Sequence, residues 1–347
     1  MNELPAALLA VSRNGIVERI ERGHAVIVDS LGEVLWSVGE TDHVTYMRSS
    51  AKPMQATAML LSGAVDRFGL PDSSIAVACG SHRGEARHVK TVLSTLSRIG
   101  LGPESLACGS HELRHAEGYR LASAGLAPSP LHNNCSGKHS GMLAATMALG
   151  APTDTYLSRE HPVQKCILDV VAQCAGVAPG DVHVGTDGCS APTFALPMAA
   201  IARCFATVGQ PEGLPPPIRR AFHHVGDAMQ SDPWLVAGTG QFDSLLMAAC
   251  PGAVIAKGGA EGLRCVSLGR RGLGIAVKVE SGNTDSASIV MLAILRALGV
   301  VEGISLAILA PFNRPLVRNH RQIEVGRTDV TIDQELEALS SLNLYAQ

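Results

Sequence analysis

Hydrophobic and polar positions follow two rhythms along this chain. Over the first forty residues, short apolar runs (Ala6–Val11, Ile16–Ile20, His24–Asp29 and Val34–Val38) are cut by the turn formers Asn14-Gly15 and Leu31-Gly32. Runs of that length between glycine-containing turns predict strands and hairpins. The period lengthens at Ser49, where Met54, Ala56, Ala58, Met59 and Leu61 recur at helical spacing up to Gly63, so a strand-to-helix junction falls at Arg48-Ser49. Ser74–Ala78 reads as a short buried strand leading into Cys79-Gly80-Ser81-His82, which places Ser81 on a turn, and Glu85–Arg98 reads as an amphipathic helix.

Helical spacing dominates the middle of the chain, over Gly137–Gly150, Pro162–Ala175, Pro197–Val208 and Pro217–Met229, with one strand at Val182–Thr186 running into Asp187-Gly188-Cys189. Strand-like runs return at Val254–Lys257, Leu263–Ser267 and Gly274–Val279, followed by a long helix over Thr284–Leu298. Strands at both ends with helices between them predict an α/β (α+β) fold. One sheet is built from the two terminal parts, about 1–48 and 250–347, and a mainly helical subdomain occupies about 49–249, all within a single catalytic domain of residues 1–347. The pentapeptide Ala-Cys-Gly-Ser-His occurs at 78–82 and again at 107–111. One echo this short does not make a repeat of domain size and reads as coincidence.

Composition narrows the class. With 46% apolar and 17% charged residues, the chain has the makings of a packed core. A formal net charge of -3, with no cluster of Lys and Arg interleaved with aromatics, argues against nucleic acid as a partner. The Arg219-Arg220 pair and the run from Arg314 to Arg321 read as solvated faces. Leu4–Val11 is apolar but has no basic leader, and no run reaches membrane-spanning length, so no membrane is expected. Nine cysteines without the spacing of a secreted disulfide framework suit a reducing, cytoplasmic compartment.

Several residues carry candidate chemistry. Ser49-Ser50-Ala51-Lys52 sets a hydroxyl and an amine on one side of a helix start, where a neutral lysine can take the serine's proton. A capping serine followed by a surface lysine is the plainer reading of those four residues alone. Lys257 closes an apolar strand before Gly258-Gly259. A second ammonium near Lys52 would depress one of the two amines and leave a base near neutral pH. Ser81 sits after a buried segment, and His82 beside it belongs behind the site, since neighbouring turn residues point apart. The polar run Asn133–Gly141 precedes an apolar helix and could turn backbone N–H groups toward an anion. Cys135 and Cys189, each in a Gly- and Ser-rich turn, could meet across a cleft, which means either soft-metal binding or no function.

Taken together, Met47–Pro53, Cys79–His82, Asn133–His139, Thr186–Cys189 and Lys257–Gly262 resemble the corresponding blocks of the rhizobial-type (thermolabile, class 3) L-asparaginases, in order over more than two hundred residues. The resemblance implies a serine β-lactamase/glutaminase-like fold, hydrolysis of L-asparagine to L-aspartate and ammonia through an acyl-enzyme, and a homodimer. It implies Ser49 as nucleophile with Lys52, a second dyad of Ser81 with Lys257, and a zinc ion (Zn2+) held by Cys135, Lys138 and Cys189 that supports substrate binding more than bond breaking. Lysine binds a metal only after losing its proton, so that site would be strongly pH-dependent. The substrate's two charged groups need complementary ends: Arg48 and His139 suit its carboxylate and Asp187 its ammonium.

Three other readings compete with this one. A penicillin-recognising enzyme shares SxxK, but Lys257-Gly258-Gly259 lacks the hydroxyl residue of Lys-Thr-Gly, and Ser281-Gly282-Asn283 follows that lysine instead of preceding it. A non-catalytic amino-acid or zinc-binding protein would use the two thiols without turnover. The threonine-dependent asparaginases share only Gly185-Thr186-Asp187 with this chain. One methylene separates asparagine from glutamine, a difference of only about 1 to 3 kcal/mol in a pocket.

Overall fold

A computed structural model describes residues 5–113, 115–342 and 344, so Leu4, the first residue of the apolar N-terminal run, lies outside the described residues. In chain order the elements begin with strands β1 (Ala6–Arg13), β2 (Ile16–Val28), β3 (Val34–Val38) and β4 (Val44–Tyr46). A 3-10 turn, Arg48–Ala51, then runs directly into helix α1 (Lys52–Leu61). Helices α2 (Ala64–Phe68), α3 (Asp72–Ala78), α4 (Ala86–Arg98), α5 (Ala116–Ser123), α6 (Ser136–Leu149) and α7 (Pro162–Ala175) follow, then the hairpin β5 (His183–Thr186) and β6 (Pro192–Pro197). Helices α8 (Met198–Gly209), α9 (Pro216–Ser231), α10 (Pro233–Ala237) and α11 (Phe242–Ala249) lead to strands β7 (Ile255–Gly258), β8 (Leu263–Leu268) and β9 (Leu273–Val279). The chain closes with α12 (Thr284–Ala297), α13 (Gly303–Ile308), β10 (Leu316–Arg318), β11 (Glu324–Val330) and α14 (Asp333–Ser341).

The chain divides into two compact units. The first comprises 1–50, 196–210 and 245–347, and the second 51–195 and 211–244. Strands from both ends form one sheet in the first unit, in the order β10-β11-β1-β2-β9-β8-β7 with β3 beside β2, and the pairings are antiparallel. This is the expected mixed α/β architecture with a sheet built from the two termini. Helix α8, which the sequence pattern placed in the helical subdomain, belongs to the sheet unit and lies on β8 and β9. Gly274 makes that approach possible, because a Cβ there would stand 1.9 Å from the Ala202 carbonyl oxygen.

Two elements differ from expectation. Ile16–Ile20 and His24–Asp29, read as separate strands, are one strand, β2. The polar stretch Glu21-Arg22-Gly23 looks like a break, but Gly23 serves packing: a Cβ there would lie 1.9 Å from the Lys278 carbonyl oxygen on β9. Ser74–Ala78, expected as a strand, is the end of helix α3, entered from Pro71 with Asp72 in its first turn and buried from Ser74 onward. Five consecutive buried residues carry no period that separates helix from strand.

Candidate active site

Local sequence explains how the second unit assembles its polar centre. Asn133 folds the turn before α6: its Oδ1 accepts from the Cys135 N–H at 2.8 Å and its carbonyl from the Ser136 N–H at 2.9 Å. Its amide donates to the carbonyls of Cys108 and Gly109. His111 Nε2 accepts from the Asn134 N–H at 3.2 Å, and His82 Nε2 lies 3.0 Å from Ser136 Oγ. Both copies of Ala-Cys-Gly-Ser-His therefore hold the same turn, a role that treating the echo as coincidence missed. The fact that both copies end in histidine was the available signal.

Lys52 is fully buried in this centre. Its ammonium donates to the Gly80 carbonyl, to the Asn134 carbonyl at 3.0 Å and to Ser81 Oγ at 3.1 Å. Burial pushes the Lys52 amine below its ordinary value, with Lys138 adding to the push and the charge of Cys135 opposing it. If the amine is neutral, its two N–H bonds satisfy the two carbonyls and its lone pair is left facing a hydroxyl. Ser81, half-buried, is held by its own N–H on the Val236 carbonyl at 2.8 Å. His82 has both ring nitrogens engaged, the second accepting from the Gly84 N–H at 3.1 Å, which leaves neither free to act as a base toward Ser81. Burial holds its pKa well below the ordinary histidine value.

Asp187 and Cys189 sit at the tip of the β5–β6 hairpin. Two backbone bonds close the loop, Asp187 N–H to Ala191 O at 2.8 Å and Ser190 N–H to Asp187 O at 2.9 Å. Ser190 takes a left-handed conformation at φ 69°. Cys135 Sγ, Cys189 Sγ and an Asp187 carboxylate oxygen lie within 4.8 Å of one another. Lys138 Nζ stands 3.0 Å from Cys189 Sγ and 3.9 Å from Asp187 Oδ2. A hydrogen bond from Cys189 holds Cys135 well below the ordinary thiol value, while Cys189 is pushed up by the same bond and by burial. Burial disfavours the Lys138 ammonium, but the Cys135, Cys189 and Asp187 charges outweigh it and hold its pKa above the ordinary lysine value.

Cys135, Cys189 and Lys138 could hold a zinc ion as two thiolates and an amine that must shed its proton, and the Asp187 carboxylate, read from the sequence as a partner of the substrate's ammonium, lies beside them. His139, on α6 beside Lys138, is completely buried, with Nδ1 2.6 Å from Tyr156 Oη.

Arg48, Ser49 and Lys257 fall in the first unit. Arg48, with φ 49°, is a non-glycine residue in the left-handed region directly before Ser49, an unfavourable conformation of the kind that collects at functional sites. Ser49 is half-buried, one helical turn ahead of Lys52 along the Arg48–Ala51 turn and α1. Lys257 is buried on β7, and its ammonium donates to the Gly258 carbonyl at 2.6 Å. Gly259 brings this strand end against the turn that bears Ser49, because a Cβ at 259 would lie 2.6 Å from the Met47 carbonyl oxygen. Gly259 therefore marks a close backbone approach beside the candidate nucleophile. Among the described residues no helix is long and apolar enough to cross a membrane.

A family model described as L-asparaginase II matches residues 9–330. No curated protein matches. Among solved structures, that of Mglu in its native form is 15% identical with a TM-score of 0.46, over 82% of this chain and 66% of that one. Mglu in its glutamate form is 13% identical with a TM-score of 0.44, over 80% and 60%. This chain thus spans less than two thirds of the Mglu chains. A beta-lactamase from Mycobacterium bovis is 15% identical with a TM-score of 0.39, over 84% of this chain and 94% of that one.

Proposed function

This chain belongs to the L-asparaginase II family, and from that premise we propose that it hydrolyses L-asparagine to L-aspartate and ammonia through a serine acyl-enzyme. The observation that carries the reading is the buried Lys52 amine, hydrogen-bonded to Ser81 and one helical turn after Ser49. A lysine kept out of water and pushed toward its neutral form is more readily used as a general base.

In this reading Ser49 Oγ attacks the side-chain amide carbon as its proton passes to Lys52. The tetrahedral oxyanion collapses, the amide C–N bond breaks, and the proton returns to the departing nitrogen to release ammonia. Water then attacks the ester, and aspartate leaves with Ser49 reprotonated. Ser81, bonded to Lys52 at 3.1 Å, passes protons between that amine and the substrate, and Lys257 is assigned to it as a second dyad partner by the family resemblance alone. Arg48 and His139 take the α-carboxylate. Cys135, Lys138 and Cys189 would hold zinc, which would supply positive charge for substrate binding, and the adjacent Asp187 takes the substrate's α-ammonium.

Ammonia release from L-asparagine and L-glutamine by wild-type protein and Ser49→Ala, at neutral and alkaline pH, tests this. Release from asparagine that vanishes in Ser49→Ala supports the reading. A folded, zinc-loaded wild-type protein that releases ammonia from neither substrate refutes it and favours a binding protein.

A further inference from the structure

The hydrogen-bond inventory of the His139–Tyr156 pair has a single solution that satisfies both Tyr156 and the inner ring nitrogen. Tyr156 is fully buried, and its oxygen accepts the Ala107 N–H at 3.0 Å and lies 2.6 Å from His139 Nδ1. If Nδ1 carried the proton, the tyrosine oxygen would accept twice and its own hydrogen would have no acceptor in a dry interior. With the phenol donating to Nδ1, both are satisfied, and the ring proton is forced onto Nε2. That nitrogen is buried and has no hydrogen-bond partner among the described residues.

His82, bonded near the start of the same helix, provides the contrast, since both of its nitrogens are engaged. His139 directly follows Lys138 on α6, and Lys138 contacts Cys189 and Asp187 of the candidate site. A buried donor left without a partner is unfavourable, and beside the candidate site a ligand oxygen can fill it.

We propose that Tyr156 is a positioning residue that locks His139 as an Nε2–H donor reserved for a carboxylate oxygen of the substrate. The substrate half of this statement rests on the amidohydrolase reading above, whereas the tautomer half stands apart from it. Nothing in the spacing of Tyr156 from His139 along the sequence indicates this role. The second Ala-Cys-Gly-Ser-His copy takes part by supplying the Ala107 N–H that occupies the phenol's acceptor side.

Nitrogen-15 NMR of histidine-labelled wild-type protein tests the lock, with His139→Gln identifying the resonances. The expected result is a protonated Nε2 and a bare Nδ1, and a protonated Nδ1 overturns the proposal whatever the enzyme's activity. Kinetics of Tyr156→Phe test the purpose: KM for asparagine should rise about tenfold with kcat within about twofold, as loss of a binding contact requires. An unchanged KM, or equal loss in kcat and kcat/KM, overturns it. A wild-type protein without turnover removes the carboxylate assignment together with the amidohydrolase reading but leaves the NMR result to decide the tautomer.

Discussion

Replacing His88 with phenylalanine should flatten the acid sensitivity of this protein. His88 is completely buried on α4, stacked between His82 at 4.8 Å and Trp234 at 4.1 Å, with Nε2 3.4 Å from the Trp234 carbonyl oxygen. Burial lowers its pKa to about 4, against the weaker raising influences of the Trp234 carbonyl and Glu85. The folded value lies below the unfolded one, so between pH 6.5 and 4 the unfolded chain takes up a proton that the folded ring refuses. Stability is therefore full above about pH 6.5 and falls as the solution is acidified. With an unfolded value of about 6.5 and a folded value of about 4, the loss between pH 7.5 and 5.0 is about 2 kcal/mol. His88→Phe keeps the stack and removes the titration. Urea unfolding at both pH values should show the wild type losing about 2 kcal/mol more than the variant, since the other buried histidines are common to both. An equal loss in the two proteins would refute the buried, neutral His88.

Lys52→Met should separate stability from chemistry. It leaves the Gly80 and Asn134 carbonyls without their donor, at about 1 to 3 kcal/mol each by urea unfolding, while kcat for ammonia release falls at least about 100-fold. Because the wild-type amine is pushed below the ordinary lysine value of 10.5, activity should rise with pH along an acid limb centred below that value, and the limb should be absent from any residual activity of the variant. Cys189→Ser should lower zinc content by elemental analysis and raise KM more than it lowers kcat. Equal loss in kcat and kcat/KM would place the metal in bond breaking instead.

The candidate residues stood out along the chain because each stands in a short polar or Gly-rich interruption of an apolar pattern: Ser49 and Lys52 at a helix start, Ser81 on a turn, Cys189 at a hairpin tip, Lys257 at a strand end. The sheet from both termini was legible for the same reason, since strand period and turn residues are local properties. Helix α3 was not, because a segment buried on every side has no period to read. Nor was the unity of β2, where a polar triplet is accommodated by a close neighbour instead of a turn. Partnership was decided only in three dimensions. Lys52 meets Ser81 at 3.1 Å although the two are 29 positions apart, Asp187 joins the thiols, and Tyr156 takes one face of His139. Residue type and spacing determine which groups are able to react, because those are intrinsic to the side chain and its own element. Which groups face one another, and which protons they share, depends on burial and on elements brought together from distant parts of the chain, and only the packed structure supplies both.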